Sequence, residues 1–136
     1  MMSQGTAMGK THGREEGRSG LEAVFGKLPP ELSQEMRRLP QSILSGLEEI
    51  RLRTGQAMLL RAHGKEYTMG GEIDQRYMNI IFNSLLNHSA YAYQEELSKG
   101  YITIEGGHRV GICGRAVVEG GKILSLKDIS SLNIRR

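Results

Sequence analysis

Tryptophan is absent from this chain of 136 residues, cysteine occurs once, and proline three times. The lone Cys113 excludes an internal disulfide framework and suits a reducing cytoplasm. Five Tyr and two Phe make up the aromatic content, too little for a base-stacking platform. No apolar run approaches the ~20 residues needed to cross a bilayer. The N-terminus, MMSQGTAMGKTHGREEGRSG, lacks the apolar centre of a signal peptide. Metal-ligand spacing is missing too, because His12, His63, His88 and His108 form no close pair and Cys113 has no cysteine partner. A Cys113–His108 dyad fails on geometry, since residues five apart on one strand point to opposite faces. Glu95 and Glu96 are adjacent carboxylates on a helix, an arrangement that usually faces water. No active site can be assembled from these parts.

What remains suits one domain of ordinary size, with 38% hydrophobic residues for a modest core. Residues 1–20 are rich in Gly, Ser and charge, and read as a disordered leader or as vector-derived sequence. Within them, Gly5-Thr6-Ala7-Met8-Gly9-Lys10-Thr11 imitates a phosphate loop. That motif needs four residues between its glycines and a strand feeding a helix, and here the spacing is three with no strand. Residues 21–136 carry the periodic patterns and read as a single α+β domain.

Net charge is +3, unevenly spread. Residues 64–105 hold three basic and six acidic groups, whereas 106–136 hold six basic and two acidic. The C-terminal stretch is therefore a positive region that favours anionic partners, phosphates or acidic surfaces. Composition alone favours the plainer reading, a solvated surface with some lysine and arginine. A pI near 9.2 also motivates a basic nucleic-acid-binding module, although no reader motif accompanies it.

Pro29-Pro30 opens a short helix in which Leu32, Met36 and Leu39 recur at helical spacing until Pro40, and Ile43, Leu44 and Leu47 continue as a helix or turn. Glu49-Ile50-Arg51-Leu52-Arg53 then alternates strictly, placing Ile50 and Leu52 on one strand face and the charges on the other. Turns at Thr54-Gly55-Gln56 and His63-Gly64-Lys65 separate further strands at 57–61 and 66–69. Asp74 is a good N-cap for a helix whose core stripe is Tyr77, Ile81 and Leu85, flanked by Met78 and Ile80. Ile73 and Met78 are spaced as its hydrophobic staple. A shorter helix is expected over 91–99, closed by Gly100. Strands follow at 101–104, 109–118, 122–126 and 132–135. Elements come in runs, which predicts an α+β fold: a mixed or antiparallel sheet with helices packed on one face.

In the 109–118 strand, alternation sends Val110, Ile112, Ala116 and Val118 to the core and Arg109, Gly111, Cys113 and Arg115 to the other face. Guanidinium forks suit phosphate recognition. At ~3.3 Å per residue Arg109 and Arg115 stand roughly 20 Å apart, so one phosphate reaches both only if Gly111 or Gly114 makes a bulge. Solvated arginines on an open sheet are the commoner case. Gly106-Gly107 and Gly120-Gly121 read as hairpin turns rather than phosphate-binding loops.

Three segments carry a family resemblance: LEEIRLRTGQ at 47–56, SAYAYQEELSKGYITIEGGHRVGICG at 89–114 and ISSLNIR at 129–135. From about Leu28 to Arg136 the chain resembles the N-terminal domain of the stage III sporulation protein AA family, bacterial ATPases similar to type II and type IV secretion motors. The resemblance implies an assembly domain whose partners are its own ATPase domain and neighbouring subunits in a ring. It further implies coupling to a membrane export complex between mother cell and forespore, from the cytoplasmic side of the mother-cell membrane. The Walker motifs, ATP and Mg would belong to a following domain that is not in this sequence, so no cofactor and no catalytic residue are expected within residues 1–136. In the related motors, two arginines about five positions apart on a strand contact nucleotide at a ring interface. The resemblance makes Arg109 and Arg115, six apart, the candidates here for nucleotide contacts across subunits or for interface residues, and Arg135, where the linker would begin, a candidate contact to the next domain. An exposed apolar patch near Ile123, Leu124 and Leu126 is expected if that domain normally covers it.

Overall fold

The alternation in LEEIRLR becomes a strand, β1 (Leu47–Arg53), with Ile50 and Leu52 buried. In the computed structural model, which describes residues 20–120 and 122–136, β1 lies at the centre of a six-stranded sheet. β2 (Ala57–Ala62) and β3 (Lys65–Glu72) follow it as an antiparallel meander. A second meander consists of β4 (Tyr101–Ile104), β5 (His108–Glu119) and β6 (Lys122–Arg135). β6 pairs antiparallel with β1, so the sheet order is β3-β2-β1-β6-β5-β4. All five strand pairings are antiparallel.

Helices cover one face. A helical turn over 20–25, here α1, precedes α2 (Pro30–Arg37) and α3 (Gln41–Leu44). Between the meanders the chain crosses from one sheet edge to the other through α4 (Gln75–Leu85), a 3-10 turn over Ala90–Tyr93 and α5 (Gln94–Leu97). Asp74 caps α4 as its position suggests, its carboxylate accepting from the Tyr77 N–H at 2.8 Å. Ile73 and Met78 are both buried, as a staple requires. Met36, Met78, Ile81, Phe82 and Leu85 pack onto Leu52, Leu60, Ile102, Val110 and Leu132 to form one contiguous core. The α+β class with a helix-covered antiparallel sheet is the observed architecture.

Several expectations need correction. The segment 91–99 is a 3-10 turn followed by four α-helical residues, not one helix, and Tyr91 is exposed. Ile80 is 42% exposed and stands off the core stripe of α4. The strands expected at 122–126 and 132–135 are one element, bent at a bulge where only Gly114 of β5 opposes Asp128, Ile129 and Ser130 of β6. Asp128 takes a left-handed backbone (φ 50°) there, and Ile129 turns fully into the core. The Ile129 carbonyl accepts from Thr54 Oγ1 at 2.8 Å and from Gln75 Nε2 at 2.9 Å. Side-chain bonds to a bulge carbonyl satisfy an acceptor that the ladder has released. The leader over residues 1–19 and the patch at Ile123, Leu124 and Leu126 lie outside the described residues and side chains.

Candidate functional site

The sheet face opposite the helices carries the charge. Strand register arranges it in transverse rows. One runs Thr103, Arg109, Arg135, Glu49, Arg61, Glu66 from β4 to β3. Beside it run Tyr101, Gly111, Asn133, Arg51, Leu59 and Thr68. A third, shorter row holds Cys113, Ser131 and Arg53. Alternation puts these residues on one face and leaves Val110, Ile112, Leu132 and Ile134 on the other, in the core.

Ion pairing neutralises only part of this face. Arg51 donates through Nε and Nη2 to Glu49 Oε2 at 3.1 and 2.9 Å. Arg61 reaches Glu66 at 3.8 Å. Glu49 sits directly opposite Arg135, but Arg51 engages its carboxylate. Arg53, Arg109 and Arg135 have no carboxylate partner among the described residues. Arg109 and Arg135 are cross-strand neighbours, a like-charge pairing that costs stability in isolation. The Arg109 guanidinium lies over the Tyr101 ring, 4.3 Å from its centroid, which braces the side chain without neutralising it. Gly111 adds no side chain between Tyr101 and Asn133, so the floor beside the arginines stays low. The Asn133 Oδ1 is enclosed and accepts no hydrogen bond from the described residues.

Of the three arginines singled out in the sequence, the fold brings two together. Arg109 and Arg135 meet across β5 and β6. Arg115 does not join them, because it lies past the bulge, opposite Lys127, and its guanidinium pairs with Asp128 at 2.8 Å. Arg51, Arg53 and Glu49 are the residues that sequence reading left as plain solvent-facing charges. Their strict alternation signals the right face, but nothing local signals that β1 pairs with β6, some eighty positions away, as in Glu49↔Arg135.

The small polar groups elsewhere are structural. His108 is buried beneath Gly20, on the face opposite the exposed Cys113. Burial holds its imidazole below the usual pKa and Arg136 adds to this, while a backbone hydrogen bond with Gly20 opposes both. Glu95 and Glu96 make only local bonds: the Glu95 carbonyl accepts from Ser98, and Glu96 Oε2 accepts from the Thr103 N–H at 2.7 Å. No group of three potential metal ligands occurs among the described residues. No described helix is long and apolar enough to cross a membrane. The face thus presents Arg53, Arg109 and Arg135 without carboxylate partners among the described residues, beside the paired Arg51–Glu49 and Arg61–Glu66.

Comparison with known proteins agrees with the segments that suggested a family. The chain is 36% identical over 108 residues to stage III sporulation protein AA of Bacillus subtilis (strain 168), covering 79% of this chain but 35% of that protein. It therefore spans about a third of the length of that relative. Among solved structures, the X-ray structure of the Legionella pneumophila ATPase DotB matches 66% of this chain and 24% of its own at 15% identity. Its TM-score of 0.39 is too low to carry fold or function across. The family model for sporulation stage III, protein AA, matches residues 30–136, and on that span the chain belongs to this family.

Proposed function

We propose that this chain is the N-terminal assembly module of a sporulation secretion-type ATPase. It packs against neighbouring subunits in a ring and passes nucleotide-driven motion to a membrane export complex between mother cell and forespore. ATP and Mg are held by the ATPase domain of the longer protein. The observation that carries this reading is the Arg109–Arg135 pair: two arginines at directly opposed cross-strand positions, neither with a carboxylate partner among the described residues, and one of them stacked on Tyr101. Such a pair costs stability unless an anion meets it, and a nucleotide phosphate or an acidic subunit surface supplies one. Arg115, already paired with Asp128, takes an interface role at the end of the same strand pair.

ATP turnover by the full-length protein tests the reading. Arg109→Ala with Arg135→Ala is expected to lower turnover at least about tenfold, the scale of one charge-assisted contact, without lowering the thermal midpoint. Mixing these subunits with others altered only in the Walker lysine is expected to restore activity, because each supplies what the other lacks across the interface. Undiminished turnover in the double variant would leave the domain a docking adaptor. Arg115→Ala is expected to have the smaller effect, since Asp128 already neutralises that residue.

A nucleic-acid role finds less support on this face. Tyr101 is the aromatic side chain in the rows described, and Arg109 already covers it, so bases have no free ring to stack on.

A further inference from the structure

On the helix-covered side, at the edge formed by β3, a cleft of about 170 Å³ opens between α2, α4 and the strand ends. Leu32, Leu52, Met58 and Ile73 form a buried apolar floor. Glu35 and Glu72 stand exposed at the rim, with the half-buried Tyr77 and Met69 between floor and solvent. Neither carboxylate is in an ion pair with a described residue. Glu31 lies close by on the first turn of α2. The Tyr77 phenol registers this surrounding: burial raises its pKa, and Glu35 and then Glu31 raise it further.

We propose that this cleft receives a basic amphipathic segment of a partner protein, with one apolar side chain on the methionine-lined floor and flanking Lys or Arg on Glu35 and Glu72. The volume falls below the ~300–1,000 Å³ of small-molecule pockets and fits a single anchoring side chain. Methionines at positions 58 and 69 give the floor an adaptable shape. The charge is selective. The chain as a whole is +3, so it has no general attraction for cations, and the acidic rim is a local exception. Strand addition is not the mode of entry. Two extra residues, Gly70 and Gly71, bulge out of β3 between the Met58↔Met69 and Ala57↔Glu72 pairs, and Gly70 has a left-handed backbone (φ 75°). The bulge interrupts the edge ladder beside the cleft, which leaves side-chain insertion.

Segments of this chemistry are what membrane proteins present on their cytoplasmic side, where Lys and Arg are in excess. Assigning the occupant to a membrane partner rests on the function proposed above, but the binding chemistry of the cleft does not. The cleft lies at the β3 edge on the helix side, whereas Arg109 and Arg135 are on the bare face of β5 and β6.

The test uses a short fluorescein-labelled peptide in which lysine and leucine alternate, and its glutamate–leucine counterpart, followed by anisotropy. Carbon-13 methionine-methyl spectra report where the peptide sits. Saturable binding of the lysine peptide is expected, with the Met58 and Met69 methyl signals moving, whereas the glutamate peptide should leave those two signals in place. Glu35→Gln combined with Glu72→Gln is expected to weaken it about tenfold, whereas Glu95→Gln with Glu96→Gln leaves it unchanged. Arg109→Ala with Arg135→Ala should not affect it, so failure here and failure of the ATPase experiment are separable. Absence of lysine-peptide binding, equal movement of the Met58 and Met69 signals by the glutamate peptide, equal loss from the Glu95 and Glu96 changes, or Met58 and Met69 signals unmoved by the lysine peptide would each overturn the proposal.

Discussion

His108 shows how one buried side chain sets a pH limit on the fold. It is 4% exposed, and burial holds its imidazole neutral below the usual histidine range. The unfolded chain takes up a proton near pH 6.5, whereas the folded chain resists it. Stability from this source is therefore complete above about pH 6.5 and falls as pH drops below it, by at most ~1.4 kcal/mol per pH unit. Denaturant unfolding at pH 7.5 and 5.5 is expected to show this loss, and His108→Leu to remove it. An unchanged pH slope in His108→Leu would place the sensitivity elsewhere. The burial of His108 was not legible from its neighbours, because Gly106-Gly107-His108 reads as hairpin and the packing of Gly20 over the ring is a long-range event. Arg109 was legible as outward-facing, because alternation with Val110 and Ile112 leaves it no other face.

Elements with their own punctuation were the easiest to read. β1, β2 and α4 carry period or cap signals within a few residues, and each appears where those signals put it. The 3-10 turn over Ala90–Tyr93 was not legible, since AYAYQEEL has good helix formers and no stop signal. The unity of β6 was hidden for a different reason. Lys127-Asp128 looks like a break, and long-range bonds hold the bulge inside a continuous strand: Thr54 and Gln75 side chains to the Ile129 carbonyl, and the Thr54 N–H to the Ser130 carbonyl. Beyond that bulge, residues 115–119 and 122–127 pair with each other, with no third strand alongside among the described residues. Two-stranded ribbons are marginal without further support. Amide hydrogen exchange in the isolated domain is expected to be fast across this ribbon and slow over 131–135, where β1 and β5 flank β6 on both sides. Equal protection along β6 would mean that something else holds the ribbon.

At the scale of the molecule the decisive contact is the seam between β1 and β6. Each meander is local and could be anticipated from turns, but the register Ile50↔Ile134 and Leu52↔Leu132 joins the two ends of the domain. That register also builds the charged face, because it sets Arg135 between Arg109 and Glu49. Under the seam, Leu52 and Leu132 are fully buried in a core that α4 shares, and α4 lies on the crossing that links β3 to β4. The halves should consequently unfold as one unit rather than in sequence. Leu132→Ala is expected to cost about 2–5 kcal/mol, as for other fully buried leucines. The loss should appear together in both meanders: exchange at Leu60 in β2 and at Ile102 in β4 should accelerate by the same factor, and the denaturant transition should stay single. If β4 and β5 opened while β2 and β3 kept their protection, the sheet would be two coupled modules, and the arginine face would depend on their docking rather than on the fold itself.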